Sequence, residues 1–168
     1  ARRLFVWDGY AEIGIDHFAA PDDGLAIAQK TGKLRRNFQG YTDDTSEVLI
    51  GLGASSISKF PQGYAQNAPA TGAYTAAIRE RRFATSRGHA FRGEDRLRAR
   101  MIEMLMCDFR IDKAELVRDF GADASVLAEM FRRTSQSFEG LVQITEDGLF
   151  LPSEVRPLTR MVARCFDA

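Results

Sequence analysis

The segment 94–168 carries the strongest pattern in the chain, because its apolar residues recur at helical spacing in four stretches. Asp112 and Asp123 stand where helix N-caps are expected, and Gly121 stands where a helix would stop. The last stretch would open at Pro152 or Ser153. The predicted apolar faces are Leu97, Met101, Ile102, Leu105, Met106 and Phe109; Leu116, Val117 and Phe120; Val126, Leu127, Met130 and Phe131; and Val155, Leu158, Met161, Val162 and Phe166.

A β-hairpin is predicted between the third and the fourth of these helices. Residues 140–151 place two short apolar strands around Asp147-Gly148, a dipeptide typical of tight hairpin turns. Three helices followed by a hairpin are typical of a winged-helix domain. We therefore predict an α+β chain whose segment 94–168 is a mostly helical, winged-helix-like domain.

The beginning of the chain indicates a different architecture. Residues 1–8 are patterned as the end of a helix, Gly9 would follow as its C′ residue, and residues 11–15 would form a strand. A helix that runs directly into a strand is the joint of an α/β repeat. We therefore expect the sequence to begin inside a βα architecture whose earlier part precedes it.

Composition divides the chain into three predicted segments. Residues 1–60 mix short apolar runs with Gly-rich and polar turns. Residues 61–93 are rich in Gly, Pro, Ala and Asn and contain one helical stretch near residues 71–82. Residues 94–168 form the helical domain described above.

The charge balance excludes several classes of partner. The chain has 23 Lys and Arg against 23 Asp and Glu, and it has no apolar run near the ~18 residues needed to span a bilayer. We expect a soluble, cytoplasmic protein with no membrane partner. Segment 94–168 has 11 basic and 14 acidic residues, and the hairpin tip carries Glu146 and Asp147. Since DNA affinity depends largely on neutralising phosphates, nucleic-acid binding is disfavoured.

The two cysteines give no sign of a metal site. Cys107 and Cys165 are far apart in the sequence, lie in helical patterns and belong to no C-x-x-C pair. We expect both to be buried thiols in a reducing cytosol.

Asp16 and His17 are the first candidate site residues. They follow a predicted strand, and functional groups of α/β sheets and barrels gather at the carboxyl ends of strands. The pair could do acid–base work or bind a polar ligand. It could equally be structural, with Asp16 capping the loop and His17 bonded to a backbone carbonyl.

Two further candidates are equally open. Gly51 and Gly53 follow the apolar run 48–50, where the backbone could approach a ligand closely or could make a tight turn. Arg35 and Arg36 could bind a carboxylate or phosphate, since the guanidinium fork pairs with these groups, or could form a solvated face.

Read together, several runs resemble the oxygen-independent coproporphyrinogen III oxidases of the radical S-adenosylmethionine superfamily. The resemblance covers nearly the whole chain. The related haem chaperones share a G-L-G element but differ in the first two runs. The runs are G-Y-x-x-I-G-x-D-H-F-A-x-P-D-D-x-L-A at 9–26, R-N-F-Q-G-Y-T at 36–42, G-L-G-x-S-x-I-S at 51–58, Y-A-Q-N at 64–67 and C-F-D at 165–167.

The resemblance implies a fold and an activity. Residues 1–60 would be the C-terminal end of a partial (β/α) barrel, and the whole enzyme would decarboxylate two propionates of coproporphyrinogen III, giving protoporphyrinogen IX in haem synthesis. A [4Fe-4S] cluster, reduced by an unknown electron donor, would cleave S-adenosylmethionine. Phe38, Gln39 and Ile57 would contact a second S-adenosylmethionine. Asp16, His17, Arg35, Arg36, Gly51 and Gly53 would be candidates for this pocket or for the substrate.

The resemblance also has a gap. The C-x-x-x-C-x-x-C loop of the superfamily is absent from the sequence, so we expect no cluster on this chain and no activity from it alone. Two alternatives remain: a radical S-adenosylmethionine haem chaperone or haem-degrading paralogue, and a stand-alone winged-helix module for interaction or DNA binding.

Overall fold

The computed structural model describes residues 2–167, so the first and last positions of the predicted segments lie outside it. The helices are α1 (Arg2–Trp7), α2 (Gly24–Lys30), α3 (Thr71–Arg79), α4 (Asp95–Asp108), α5 (Lys113–Phe120), α6 (Ala124–Ser137) and α7 (Thr159–Ala163). The strands are β1 (Ala11–Ile13), β2 (His17–Ala19), β3 (Arg35–Asn37), β4 (Gly40–Thr42), β5 (Ile57–Phe60), β6 (Gly63–Asn67), β7 (Thr85–Ala90), β8 (Arg110–Asp112), β9 (Gln143–Thr145) and β10 (Gly148–Phe150). Short 3-10 helices at Arg156–Leu158 and Arg164–Phe166 flank α7.

The described residues form two compact units. The first contains the chain up to Asp44 and again from Asp95 onward, and the second is Thr45–Glu94. The division into 1–60, 61–93 and 94–168 concerns segments of sequence and stays a prediction.

Helix α4 organises the first unit, because it contributes to both of its apolar cores. Met101 and Leu105 are fully buried in the larger core, and Cys107 is fully buried in the smaller one. The larger core also takes residues from β8, α5, α6, β10 and the C-terminal segment, whereas the smaller core takes residues from β1, β2 and α2. The fully buried residues of the larger core include Leu116, Leu127, Phe131, Val142, Leu149, Leu151, Val162 and Phe166.

The helix ends predicted at Asp112, Gly121 and Asp123 are confirmed. Asp112 caps α5 by accepting from the N–H of Glu115, and Asp123 caps α6 by accepting from the N–H groups of Ser125 and Val126. Gly121 ends α5 in a left-handed conformation. These signals act within about four residues, so local sequence decides them.

The hairpin is confirmed, but its turn is shifted by one residue. Gly148 pairs with Thr145, so the two-residue turn is Glu146-Asp147, and Gly148 begins β10. A β-carbon on Gly148 would collide with the carbonyl oxygen of Ile111 in β8, which is a reason for glycine there. Strand order in this sheet is β8-β10-β9, all antiparallel. The last helical stretch begins at Arg156, later than Pro152 or Ser153.

The strands before residue 61 pair in antiparallel fashion. The predicted helix end, followed by a strand at Ala11, is confirmed, but the strand ends at Ile13 and turns back into β2. Strands β3 and β4 form a second hairpin. Parallel strands need long crossovers, whereas three residues join β1 to β2 and two join β3 to β4. The mixed helix-and-sheet class is confirmed, and no closed barrel forms within residues 2–167.

The second unit is one antiparallel sheet with helix α3. Its strand order is β5-β6-β7, and Leu49 forms an isolated bridge to Lys59 of β5. The helix predicted near residues 71–82 is present as Thr71–Arg79.

One burial prediction was wrong: Cys107 is buried, but Cys165 is exposed. Cys165 lies in the short 3-10 helix at the end of the described chain, whose inward position is taken by Phe166. None of the helices described in residues 2–167 is long and apolar enough to cross a membrane.

Candidate functional site

The turn between β1 and β2, residues 14–16, is tied to the end of helix α4 by two side chains. The Tyr41 hydroxyl accepts from the N–H of Ile15 at 3.0 Å and donates to the carbonyl of Met106 at 2.9 Å. Gln29 accepts from the N–H of Gly14 at 2.9 Å and donates to the carbonyl of Cys107 at 3.0 Å. The turn that leads into Asp16 and His17 is therefore held at two backbone N–H groups, those of Gly14 and Ile15.

Asp16 uses both of its carboxylate oxygens. One lies 2.7 Å from Nδ1 of His17, and the other accepts from Arg160 of α7 at 2.9 Å. The His17 ring stands edge-on to the Tyr41 ring, with centroids 5.0 Å apart. The side chains of Asp16, His17 and Arg160 are about half exposed or more, so these three residues lie at the surface of the first unit.

Arg36 also lies next to Tyr41. The backbone N–H of Arg36 donates to Glu103 of α4 at 3.0 Å. The guanidinium carbon of Arg36 is 5.6 Å from the Tyr41 ring centroid. Nε of Arg36 is buried and has no hydrogen-bond partner among the described residues. Arg35, in contrast, donates to the carbonyl of its neighbour Leu34 at 3.1 Å.

Burial lowers the acidity of the Tyr41 hydroxyl. Burial raises the pKa of the Tyr41 hydroxyl, so it stays protonated and keeps its role as donor to Met106. Glu103 is held in turn by Arg100, which donates to Glu103 and to Glu115 at 2.7 Å each. The carboxylate that supports Arg36 is thus part of a largely buried ion-pair network.

Phe38 and Gln39 form the two-residue turn between β3 and β4. Asn37 fixes this turn by accepting from the N–H of Gln39 at 2.8 Å. Both side chains are exposed, and the Gln39 amide group has no hydrogen-bond partner within the described chain. An apolar ring and a free amide therefore project side by side from a hairpin anchored through Arg36 and Tyr41.

The other candidates lie in the second unit. Gly51 donates to Ser58 at 3.0 Å, and a β-carbon on it would lie 2.8 Å from the carbonyl oxygen of Ile57. Gly53 donates to the Tyr74 hydroxyl at 3.1 Å. Asn67 donates to the carbonyls of both glycines, at 3.1 and 3.0 Å. The glycine loop is therefore packed tightly against strand β5.

The structure thus gathers the candidates in two places. Asp16, His17 and Arg36 surround Tyr41 in the first unit, with Phe38 and Gln39 on the same hairpin. Gly51, Gly53 and Ile57 lie together in the second unit.

Sequence reasoning had missed four of the residues that hold these places. Tyr41 and Asn67 lie inside the runs R-N-F-Q-G-Y-T and Y-A-Q-N, which is a signal that could have found them. Gln29 and Arg160 carry no such signal.

No group of three His, Cys, Asp or Glu side chains in residues 2–167 is placed to hold a metal ion. Burial raises the pKa of the Cys107 thiol to about 12, so it stays protonated and is a poor ligand.

Comparison with known proteins identifies relatives along the whole chain. It is 64% identical over 167 residues to the oxygen-independent coproporphyrinogen III oxidase of Paracoccus denitrificans, covering 99% of this chain and 37% of that protein. It is 44% identical to the enzyme of the same name from Bradyrhizobium diazoefficiens over 95% of this chain and 36% of that protein. The chain therefore spans a little over a third of the length of these relatives. No protein-family model matches the chain.

A solved structure has the same fold. Coproporphyrinogen III oxidase from Escherichia coli, described as a radical SAM enzyme, superimposes with a TM-score of 0.88 at 37% identity. The match covers 99% of this chain and 39% of that protein.

Proposed function

This chain corresponds from end to end to one portion of the oxygen-independent coproporphyrinogen III oxidases, and we propose that it serves as the C-terminal portion of such an enzyme. The enzyme that contains it would convert two propionates of coproporphyrinogen III to vinyl groups, releasing carbon dioxide and giving protoporphyrinogen IX for porphyrin synthesis. We further propose that this enzyme acts in the cytoplasm and takes electrons from a donor that this chain does not identify.

One observation supports this proposal above the others: the runs that carry the resemblance also build the candidate site. Tyr41, from the run at 36–42, holds the turn of the run at 9–26 through the N–H of Ile15. Asn67, from the run at 64–67, donates to both glycine carbonyls of the run at 51–58.

Phe38 and Gln39 of the first unit would contact the second S-adenosylmethionine, and Ile57 of the second unit stays a candidate contact that the resemblance implies. The fit is supported by the Gln39 amide, which has no hydrogen-bond partner within residues 2–167 and can bind the polar groups of a nucleoside or amino acid. Phe38 is exposed beside it and offers an apolar wall. S-adenosylmethionine whose S–C bond is cleaved by one electron from the reduced cluster would supply a carbon radical able to take a hydrogen atom from a propionate side chain, leaving methionine.

Substrate propionates are the ligands we propose for Arg36, and His17 is proposed to contact the substrate or the cofactor by another group. The buried Nε of Arg36 lacks a partner among the described residues, and a charged carboxylate would satisfy such a donor. Arg35 bonds to its own backbone neighbour and is a weaker candidate. Asp16 would act through His17.

The [4Fe-4S] cluster does not fit the residues of this chain. Cys107 is buried and protonated, and Cys165 is exposed far from it in sequence. We propose that cluster ligands come from another portion of the enzyme, and no step of the reaction is assigned to these two thiols.

The C-terminal part of the first unit is proposed to be a winged-helix-like cap. Its order, α4-β8-α5-α6-β9-β10, supports that topology. The turn at Glu146-Asp147 makes the tip of the hairpin acidic, which disfavours contact with phosphates. A role in covering the substrate agrees better with this charge than DNA binding does.

The test is anaerobic turnover by a protein that contains this chain, reconstituted with iron and sulfide and supplied with S-adenosylmethionine and a reductant. We expect coproporphyrinogen III to be consumed and protoporphyrinogen IX to form. Binding of haem without turnover of coproporphyrinogen III would instead support the haem chaperone or haem-degrading alternative. A variant with Phe38→Ala and Gln39→Ala is expected to lose turnover while keeping the cluster.

A further inference from the structure

The carboxylate of Asp16 determines which nitrogen of His17 carries a proton. A carboxylate only accepts hydrogen bonds, so the 2.7 Å contact to Nδ1 requires a hydrogen on Nδ1. A neutral imidazole with Nδ1–H has its lone pair on Nε2. Nε2 has no partner among the described residues, and the side chain is 53% exposed, so a ligand can reach this lone pair.

Arg160 holds the carboxylate in the orientation that this tautomer needs. It donates to the second oxygen of Asp16 at 2.9 Å across 144 positions of sequence. The His17 ring also stands edge-on to the ring of Tyr41. The Tyr41 hydroxyl is itself fixed by its hydrogen bonds to Ile15 and Met106. The imidazole is therefore oriented by its hydrogen bond to Asp16, which Arg160 holds in place, and by its contact with the Tyr41 ring.

We propose that His17 presents Nε2 as a hydrogen-bond acceptor for an N–H donor of a bound ligand, and that Arg160 is a positioning residue for it. Within the function proposed above, on which this inference rests, two N–H donors are available. The pyrroles of coproporphyrinogen III carry N–H groups, and S-adenosylmethionine carries an ammonium group. Both satisfy an imidazole lone pair, and neither makes the same bond to an Nε2–H tautomer.

The tautomer is tested on this chain without any turnover. The chain has two histidines, so a His89→Gln variant assigns the His17 signals in a two-bond ¹H–¹⁵N correlation spectrum recorded at pH 8.5. We expect the Nδ1–H tautomer to predominate. Arg160→Gln is expected to shift the population toward Nε2–H. Arg164→Gln, an exposed arginine nearby in sequence, is expected to leave it unchanged. A wild-type spectrum of the Nε2–H tautomer would overturn the proposal.

The ligand is tested with a matched pair of variants in the enzyme that contains this chain. His17→Gln places an amide oxygen near the position of Nε2, whereas His17→Asn does not reach it. We expect His17→Asn to weaken the binding of one ligand about tenfold, which is the effect of one hydrogen bond. We expect His17→Gln to keep most of that affinity. A rise in KM for coproporphyrinogen III identifies the pyrrole, and a rise in the Kd of S-adenosylmethionine identifies the ammonium group.

The outcomes separate this inference from the proposed function. If neither constant changes in His17→Asn, the acceptor role is wrong even though turnover persists. If wild-type enzyme does not turn over coproporphyrinogen III, the proposed function fails, while the tautomer and its dependence on Arg160 are still decided by the spectrum.

Discussion

Gly14 lies directly against the ring of Tyr41, so closely that a β-carbon on Gly14 would overlap the ring atoms. This contact lets the Tyr41 hydroxyl reach the N–H of Ile15 and the carbonyl of Met106. Gly14 also has a φ of +54°, a left-handed conformation that a side chain makes costly. The G-x-D-H run therefore needs glycine for two separate reasons.

Substituting Gly14 separates these two reasons. Gly14→Ala is expected to lower the free energy of unfolding by about 3 kcal/mol or more, because it adds overlap with Tyr41 to backbone strain. Gly32→Ala is the matched control, since Gly32 has a φ of +66° and open space around its β-carbon position. It is expected to cost about 1 kcal/mol, from strain alone. Urea unfolding measures both, and equal losses would show that Tyr41 is not held against Gly14.

Among the charged side chains of the first unit, that of Arg100 is predicted to contribute most to stability. Its side chain is 13% exposed and pairs with both Glu103 and Glu115. Arg100→Ala leaves two poorly solvated carboxylates without a cation, and we expect a loss of about 3 kcal/mol of stability. Arg118→Ala, whose side chain is 68% exposed and pairs with Asp119, is expected to lose less than about 1 kcal/mol. Comparable losses in thermal or urea unfolding would contradict the buried network.

Cys107 is expected to make the first unit less stable at alkaline pH. Burial raises the pKa of its thiol from 9.0 to about 12, so the folded protein keeps a proton that the unfolded chain releases. The folded state binds more protons between pH 9 and 12, and stability therefore falls as pH rises in that window, by up to about 1.4 kcal/mol per unit. Below pH 9 this contribution is fully present.

The measurement compares wild type with Cys107→Ala by urea unfolding at pH 8.0 and 10.5. The difference between the two proteins should shrink as the pH rises, because the variant lacks the buried thiol. Thiol labelling at pH 8 provides a second check. One equivalent, from the exposed Cys165, should react in the folded protein, and two should react in urea. Rapid labelling of both thiols in the folded protein would contradict the burial of Cys107.

Gln39 is predicted to matter for the ligand and not for the fold. Its side chain is exposed and has no hydrogen-bond partner in the described residues, so Gln39→Ala should change the unfolding free energy by less than about 0.5 kcal/mol. In the enzyme that contains this chain, the same variant should raise the Kd of S-adenosylmethionine at its second site about tenfold. Gln143→Ala, an exposed glutamine of β9, is the control and should change neither quantity.

Local signals in the sequence predicted the caps of α5 and α6 and the existence of the hairpin. Asp112, Asp123 and Gly121 act on amides and carbonyls within about four residues, so they can be read without the fold. The turn was misplaced by one residue because Gly148 meets a distant constraint, the carbonyl of Ile111 in another strand. Cys165 was misjudged because a helical pattern alone does not say which face turns inward.

The sequence by itself determined the helices and the hairpin of segment 94–168, the runs that resemble those of the coproporphyrinogen III oxidases, and the side chains proposed to bind a cofactor. Only the tertiary structure decided which distant residues those runs contact. Tyr41 meets Met106 across 65 positions, and Asp16 meets Arg160 across 144. Such contacts depend on how separate helices and hairpins pack, and no local pattern records them. The orientation of His17 follows from these long-range contacts, because a single distant arginine holds Asp16 and a half-buried tyrosine lies against the His17 ring.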